Sequence, residues 1–591
     1  MSKRWDSRAA VVVGLATSLV VSVYLARAIR PALLTDSDPG WAIPRLLLGL
    51  LLIDVTATAG GAAAGLFLLW SRSRLAPPEI RPFPGSAGTA AAIGMAALAI
   101  GVLLRVAPVG RLPIPFTDDE VNLITPALEL SGTWRDFADS IRGIPYGVEE
   151  PHEMIGVIYL YLLRASLDLF GPGIVGLQAL STLGGVLSLF TAAALGRALL
   201  PRGGAALTCL VLAGLRWHLI LSLRGWHAIV LAVLTDAAGL AVLLARRRGW
   251  TVAASAGGIL VGIGAHLYFS AWIVAAALGL FLLWPEERVS RLSSRLPRAA
   301  AFGLGVLLAA SPLFLLREGR KQSFLERVAY QNVLVEMRHS KSWMPLFTSA
   351  AEPLISPWLV PDPEAINDLP RRSRLGWIVG LPFALALGWS LLFPRRDFSA
   401  FLLAHGVAAF AAAVATGEAR SPHGTRFSYL TTVTAVAAAA GVLLFLTAVS
   451  ASRRRTSGLV AVGLLSIGGA LAARDALAVW PSHRATFDAY VGQNTLRGLA
   501  AARWDQYGRV EVTEALGQTE ITIETVRRYR LDPFGSLPRT APGGVPATHE
   551  RSFRIVPPET RAEPGERVVE RIRDAWGREW GVVLGRKSTR S

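Results

Sequence analysis

Cysteine is all but missing from this chain. Cys209 is the only one among 591 residues, so no intrachain disulfide and no cysteine metal cluster can form. It lies in an apolar run, where a lone thiol serves as inert packing. Charge is scarce too: 17% of residues are Asp, Glu, Lys or Arg against 52% hydrophobic, with a mean hydropathy of +0.43. That balance excludes a soluble chain of this length. No nucleotide-binding glycine loop and no internal repeat occurs, and "GGAAAG" (60–65) sits inside an apolar span as a helix-packing surface. What the chain has in quantity is apolar segments of about 17–25 residues, each long enough to cross about 30 Å of hydrocarbon as a helix. They recur along the first 480 residues and predict a polytopic helical bundle. The net charge of +18 collects as arginine in short loops between them, which fits the positive-inside bias and not nucleic-acid binding.

Arginine also orders the spans. "MSKR" begins on the cytoplasmic side, and the long apolar stretch behind it reads as a retained first helix, since it lacks a clear cleavage site. A hairpin near 9–28 and 45–70 returns to "SRSR" (71–74), and the span near 90–108 delivers residues 109–152 to the outer face. "ARRRGW" (245–250), "PEERVSRLSSRLPR" (285–298), "PRRD" (394–397) and "SRRR" (452–455) fall inside. Outer loops are then 216–226, the turn near 266–270, 317–375 and 417–426, and the last span, near 457–478, leaves the tail outside. One parity conflict remains: residues 152 and 226 both come out external, yet three apolar segments (153–170, 173–199, 203–222) separate them. One of the three must be re-entrant, interfacial or split. The tail after 480, with "RVEVTEALG" and "TEITIETVRRYRL", reads as a small mixed α/β domain.

Polar residues cluster at the outer ends. "PFTDDEVNLITPALELSGTWRDF" (115–137) places Asp118, Asp119 and Glu120 together, and the outer loop carries nine Asp or Glu between Asp118 and Glu153. A carboxylate in a closed cleft at the membrane surface can act as general base toward an acceptor hydroxyl or amine; the ordinary alternative is a solvated acidic loop. "VNLITPALELSGTW" is amphipathic and could lie on the membrane surface. "VEEPHEM" (148–154) adds Glu149, Glu150, His152 and Glu153. With the first cluster it would make a two-carboxylate site with a histidine for a phosphate or a metal. "RWHLILSLRGWHAI" (216–229) puts Arg216, His218, Arg224 and His227 at an external helix end, with Trp217 and Trp226 as interfacial anchors. Arginine there suits a lipid phosphate or simply snorkels. "GAHLYFSAW" (264–272) and "GEARSPHGTRFSYL" (417–430), with Arg420, His423 and Arg426, supply further polar groups on that face. Asp236 lies deep within a span and must meet a partner or a wet cavity.

The order of these motifs resembles the C-type (GT-C) integral-membrane glycosyltransferases, the class of protein O-mannosyltransferases and lipid A aminoarabinose transferases. The likeness rests on Asp119-Glu120, Ser131-Gly132-Thr133-Trp134, Glu150-Pro151 and Leu169-Phe170-Gly171 in the first outer loop and the helix after it. It continues in Gly262-Ile263-Gly264 with Tyr268, "FLERVAYQN" (324–332), "LVPDPEAINDLPRRSRLGWIVGLPFALALG" (359–388) and "HGTRFSYLTTVTAVAAAAGVLL", and covers roughly residues 90–500. His152 departs from the Lys or Pro common after the acidic-Pro step, and Asp118 is an extra acid beside the pair.

The resemblance implies an all-α GT-C fold, and with the hydropathy reading gives about 13 transmembrane helices and a small extracytoplasmic α/β domain: a hairpin and linker over 1–85 and most of a tail domain over 481–591, both outside the resemblance, flank a catalytic core over 86–480. It implies inverting transfer of a sugar from a polyprenyl-phosphate carrier to a glycan, lipid or protein acceptor at the outer face of the inner or plasma membrane. Asp119 would be the base, with Asp118 and Glu120 beside it, and Glu150, His152, Arg224, His227, Tyr268 and Arg426 at the donor phosphate. A divalent cation such as Mg or Mn could join the carboxylates, although no ligand spacing demands one. The alternatives are a transporter or flippase of lipid-linked sugars, which should show inverted repeats, and a noncatalytic scaffold indifferent to Asp119.

Overall fold

The computed structural model describes residues 79–114, 116–117, 120–121, 123–130, 157–286, 292–314, 333–345, 368–369, 372–415, 427–490, 492–513, 518–534 and 551–587. The N-terminal hairpin, Asp118, Asp119, Glu150, His152 and Arg426 therefore lie outside the described residues.

Among the described residues, seven helices are long and apolar enough to cross a membrane, a bent pair adds an eighth span, and three shorter apolar helices accompany them. In chain order the core comprises α1 (Ala87–Val106), α2 (Ile124–Glu129), α3 (Val157–Phe170), α4 (Ile174–Leu199), α5 (Gly204–Gly214), α6 (Arg216–Leu223) and α7 (Ala228–Arg248). It continues through α8 (Thr251–Ala265), α9 (Ala271–Leu283), α10 (Leu296–Phe314), α11 (Val333–Ser340), α12 (Gly376–Leu392), α13 (Asp397–Ala415), α14 (Leu430–Ala448) and α15 (Ala451–Arg474). Local chemistry sets the ends. Ser86 caps α1 by accepting from the Thr89 N–H at 3.0 Å. Arg246, Arg247 and Arg248 fill the last turn of α7 before Gly249 at φ 74°, which joins the favourable dipole end to the left-handed stop that glycine adopts without strain.

The parity conflict resolves on α3. The Phe83 N–H donates to the Arg202 carbonyl at 2.8 Å, so α4 ends where α1 begins. The Gly110 N–H donates to Gln178 Oε1 at 3.0 Å, so α4 begins where α1 ends. The contacts of α3 all lie at that second end: Tyr159 with Gly225, Arg164 with Leu128 and Leu130, Ser166 with Gly176. These contacts, spread from Tyr159 to Ser166, hold the described part of α3 at that end of the bundle. The segment 203–222 is also irregular. It breaks at Leu215 with a 62° bend between α5 and α6, yet passes from the Phe83 end to the Glu120 end.

Arg105, wholly buried, holds that break. Its guanidinium donates to the carbonyls of Leu212 at 3.0 Å, Ala213 at 3.4 Å and Gly101 at 2.7 Å, and to His218 Nδ1 at 2.8 Å. The carbonyls that the bend strips from the α-helical ladder thus meet a cation at the negative end of α5. His218, its Nδ1 accepting, donates from Nε2 to Ser188 at 2.6 Å. On the far side of the break Arg216 pairs with Asp368 at 2.5 Å and lies 3.6 Å from Asp475, which also binds Arg372 at 2.6 Å. Trp217 and Trp226 are buried as well. The expectation of interfacial tryptophans is therefore corrected: cover from Asp368, Leu369 and Arg374 and from α16 (Arg484–Ala489) onward leaves 216–227 buried within the protein.

The chain after α15 forms a small α/β unit from α17 (Gly492–Trp504), β1 (Gly508–Val512), α18 (Gln518–Tyr529), β2 (Arg551–Val556), β3 (Glu566–Arg573) and β4 (Glu579–Lys587). The sheet order is β1-β2-β4-β3, with β1 parallel to β2 and the other pairs antiparallel. Val510, Phe553, Ile555, Ile572 and Val583 bury one face against Ala500 and Ala501 of α17. "TEITIETVRRY" alternates as a strand would but is helical, because Thr522, Ile523, Thr525 and Val526 form one buried stripe facing α17.

Candidate functional site

The site grows from Thr117. Its hydroxyl accepts from the Glu120 N–H at 3.1 Å while Glu120 Oε2 accepts from the Thr117 N–H at 3.0 Å. This reciprocal pair is a capping box, which "TDDE" spells in the sequence as Thr-x-x-Glu. It closes the turn containing Asp118 and Asp119, whose own placement lies outside the described residues. The other Glu120 oxygen, Oε1, accepts from Arg224 Nε at 3.1 Å, and both side chains are buried.

Arg224 follows α6 on the four-residue link to α7. Its guanidinium carbon lies 5.4 Å from the ring of Tyr490 and 6.0 Å from that of Trp226, so aromatic faces complement the charge that Glu120 neutralises. The backbone of the link is fixed from beneath: the Arg224 carbonyl accepts from the Ser181 hydroxyl, and the Gly225 carbonyl from Tyr159 at 3.3 Å. Tyr490 comes from the chain after the last span. Burial pushes its phenol well above the ordinary value, with Glu120 adding to the rise and Arg224 opposing it, so it meets Arg224 as a neutral ring. Ile114, Phe116, Glu120, Gln178, Leu223, Arg224, Gly225 and Tyr490 enclose a cavity of about 10 Å³, room for about one water.

Three residues beyond Arg224, His227 is buried in an aromatic cage. Its ring centre lies 4.3 Å from Trp226, 4.8 Å from Tyr268 and 5.0 Å from Tyr159, and its Nδ1 has no partner among the described residues. Of the expected site residues, the structure thus joins Glu120 to Arg224 and His227 to Tyr268 through one short link. Arg224 is engaged by a carboxylate of the chain itself, a role that sequence reasoning did not assign, though a single internal carboxylate near an arginine is the usual answer to burying either.

The apolar residues of 121–130 pack against protein: Val121, Leu123, Ile124, Ala127 and Leu130 are buried in one cluster with Leu163, Trp226, Leu267, Leu499, Val526 and Leu531. The C-terminal unit contributes to that cluster. Tyr490, Leu499 and Val526 are contributions that sequence reading missed, because nothing local ties residues some 370 positions away to this turn. Among the described residues no group of three or more His, Cys, Asp or Glu could hold a metal, and both oxygens of Glu120 are already committed.

No family model and no curated protein matches this chain. Solved structures do. The chain is similar to ArnT from Cupriavidus metallidurans in the apo state, at 15% identity and a TM-score of 0.49, over 85% of this chain and 98% of that one. The same protein bound to undecaprenyl phosphate gives 15%, 0.47, 85% and 99%. The archaeal oligosaccharyltransferase AglB from Archaeoglobus fulgidus, in complex with an inhibitory peptide and a dolichol-phosphate, gives 14%, 0.46, 76% and 64%. These are likenesses in the course of the chain and carry no activity across.

Proposed function

We propose that this protein is a membrane glycosyltransferase that moves a sugar from a polyprenyl-phosphate carrier to an acceptor at the outer face. The reading rests on the sequence resemblance, and the observation that carries it is the construction around "TDDE". A capping box and a buried Glu120–Arg224 pair brace a turn bearing two further carboxylates, Asp118 and Asp119, at one end of an apolar bundle. A lipid-borne donor needs that placement, since its tail can stay among the helices while its headgroup reaches the turn.

In this mechanism Asp119 takes the proton of the acceptor as its oxygen or nitrogen attacks the anomeric carbon from the face opposite the phosphate. The carbon–oxygen bond to phosphate breaks, the configuration inverts, and polyprenyl phosphate leaves. Glu120 and Arg224 hold the turn; Asp118 and Glu150 orient groups beside the base. His152, His227, Tyr268 and Arg426 are assigned to the leaving phosphate, whose charge grows in the transition state. A divalent cation would have to be held by acids other than Glu120, and no step is assigned to it. The division into a hairpin (1–85), a catalytic core (86–480) and a tail domain (481–591) that covers the site belongs to the same proposal.

The test is transfer by the purified protein in lipid over a panel of polyprenyl-phosphate sugars, comparing wild type with Asp119→Asn. Turnover with one donor, lost in the variant while donor binding persists, supports the reading. Donor binding without turnover in either form favours a transporter, and turnover unchanged by the substitution removes Asp119 from the mechanism.

A further inference from the structure

Asp236 sits in α7, two turns below the Arg224–His227 link, with 1% of its surface exposed. Thr191 of α4 and Thr432 of α14 both donate to its Oδ2, at 2.8 and 3.1 Å, while Oδ1 has no partner among the described residues. Two other buried polar atoms share that condition at the same depth: His405 Nε2 and the Tyr429 hydroxyl.

Three contacts fix the common level. α7 and α13 run antiparallel, since Arg246 and Arg247 near the end of α7 bind Asp397 at the start of α13, at 3.1 and 2.8 Å. One step up, Phe401 of α13 faces Gly239 of α7. The next turn on each helix brings His405 and Asp236 to one height. Tyr429 caps α14 one turn before Thr432, on the same face, and its ring centre is 6.3 Å from that of His405.

The bonds already made assign the protons. His405 Nδ1 lies 2.9 Å from the Phe401 carbonyl, which can only accept, so Nδ1 carries the hydrogen and the neutral ring offers Nε2 as an acceptor. Asp236 Oδ2 receives two hydroxyl donors and Oδ1 none, which is the pattern of a carboxylic acid with its hydrogen on Oδ1. Among the described residues no lysine or arginine is a partner of this carboxyl, and an isolated charge there would be costly. We propose that Asp236, His405 and Tyr429 line a hydration site inside the bundle, where bound water accepts from Asp236 Oδ1–H and the Tyr429 hydroxyl and donates to His405 Nε2. Buried water typically takes on otherwise unsatisfied groups in this way. The site binds α4, α7, α13 and α14 at one level, beneath the point where Ser428 donates to the Ala228 carbonyl at 2.8 Å. It stands apart from the transfer reaction and holds whether or not that reading does.

The test uses the full-length protein in phosphatidylcholine nanodiscs and infrared spectroscopy of the carboxylic C=O stretch, with wild type, Asp236→Asn and Tyr429→Phe measured in H2O and D2O. The expected result is a protonated-carboxyl band that shifts in D2O, is missing from Asp236→Asn, and moves without vanishing in Tyr429→Phe, a variant that preserves the ring. A high-resolution cryo-EM map should place a solvent peak within hydrogen-bond reach of all three atoms. A spectrum identical in wild type and Asp236→Asn means an ionised Asp236 and overturns the proposal. So does a band insensitive to D2O, which means a dry pocket, or one that disappears when sodium replaces choline, which means a metal-cation site.

Discussion

Glu120 and Arg224 form a buried ion pair at 3.1 Å, and the consequence of breaking it is asymmetric. Removing one member strands the other, a loss of about 3–5 kcal/mol, whereas replacing both with apolar residues of similar volume is often nearly neutral. Glu120→Gln and Arg224→Met should each lower the thermal midpoint of the purified protein sharply, and the double variant should recover much of it. Equal, additive losses in the two single variants would show that the pair is not coupled. Thr117→Ala should cost about 1 kcal/mol through the lost cap, and Thr117→Ser should restore it in the same melt. The cap was open to reading from "TDDE"; the arginine that meets it was not, because 104 residues separate them and several arginines could have filled the role.

Among the elements, the broken span α5–α6 depends on Arg105 in a way that no local propensity conveys. Gly214 precedes Leu215, the point of the break, but a glycine alone is tolerated within a helix at about 1 kcal/mol; carbonyls released there find the guanidinium. Arg105→Leu should leave the Ala213 carbonyl without the guanidinium and the Leu212 carbonyl with only the 3.4 Å bond from the Leu215 N–H, at about 1–3 kcal/mol for a buried group left unsatisfied, and hydrogen exchange should rise at 212–223. Unchanged protection there would mean the bend holds without it. A second element-level constraint is the approach of α8 and α10. A side chain on Gly258 or Gly262 would strike the backbone of α10 at Phe302 and Val306, and one on Gly305 would strike α8 at Ser255. The small-xxx-small spacing Gly258–Gly262 signals such contact in membranes. Gly305→Val is expected to force the pair apart and lower the yield of folded protein in a size-exclusion assay, with Gly303→Val, where nothing lies within 4 Å, as the tolerated control.

Across the whole molecule, the C-terminal unit is held by carboxylates that titrate below their ordinary range. Burial alone would raise Asp574, but hydrogen bonds from Trp580, Arg578 and the Trp576 N–H outweigh it. Glu566 behaves alike under the Glu563 N–H and Arg554, and Glu579 is lowered by Arg573 and Arg571. A lowered folded-state pKa gives stability that is complete above the unfolded value and is lost as pH falls through the folded one. The unit should therefore be insensitive to pH from neutrality to about pH 5 and loosen below about pH 4, where free carboxyls protonate. Tryptophan fluorescence of wild type against Asp574→Asn checks this: the variant should start less stable and vary less with acid. Because Leu499, Val526 and Leu531 share a core with the 121–130 segment, the same loosening should reach the candidate site.

Hydropathy alone determined the membrane bundle, since crossing hydrocarbon demands long apolar helices whatever they pack against, and the charged, alternating stretches after residue 480 marked the tail as a separate α/β unit. Tertiary structure decided which of three apolar segments stays at one face, because Arg164, Ser166 and Tyr159 bind partners that only folding brings near. It decided as well that 216–227 is interior, that Arg224 answers Glu120, and that Tyr490 closes over them. Those outcomes depend on contacts between separate segments, 10 positions apart for Ser166 and Gly176 and 104 for Glu120 and Arg224, and a periodicity read along one segment holds no information about which other segment will cover it.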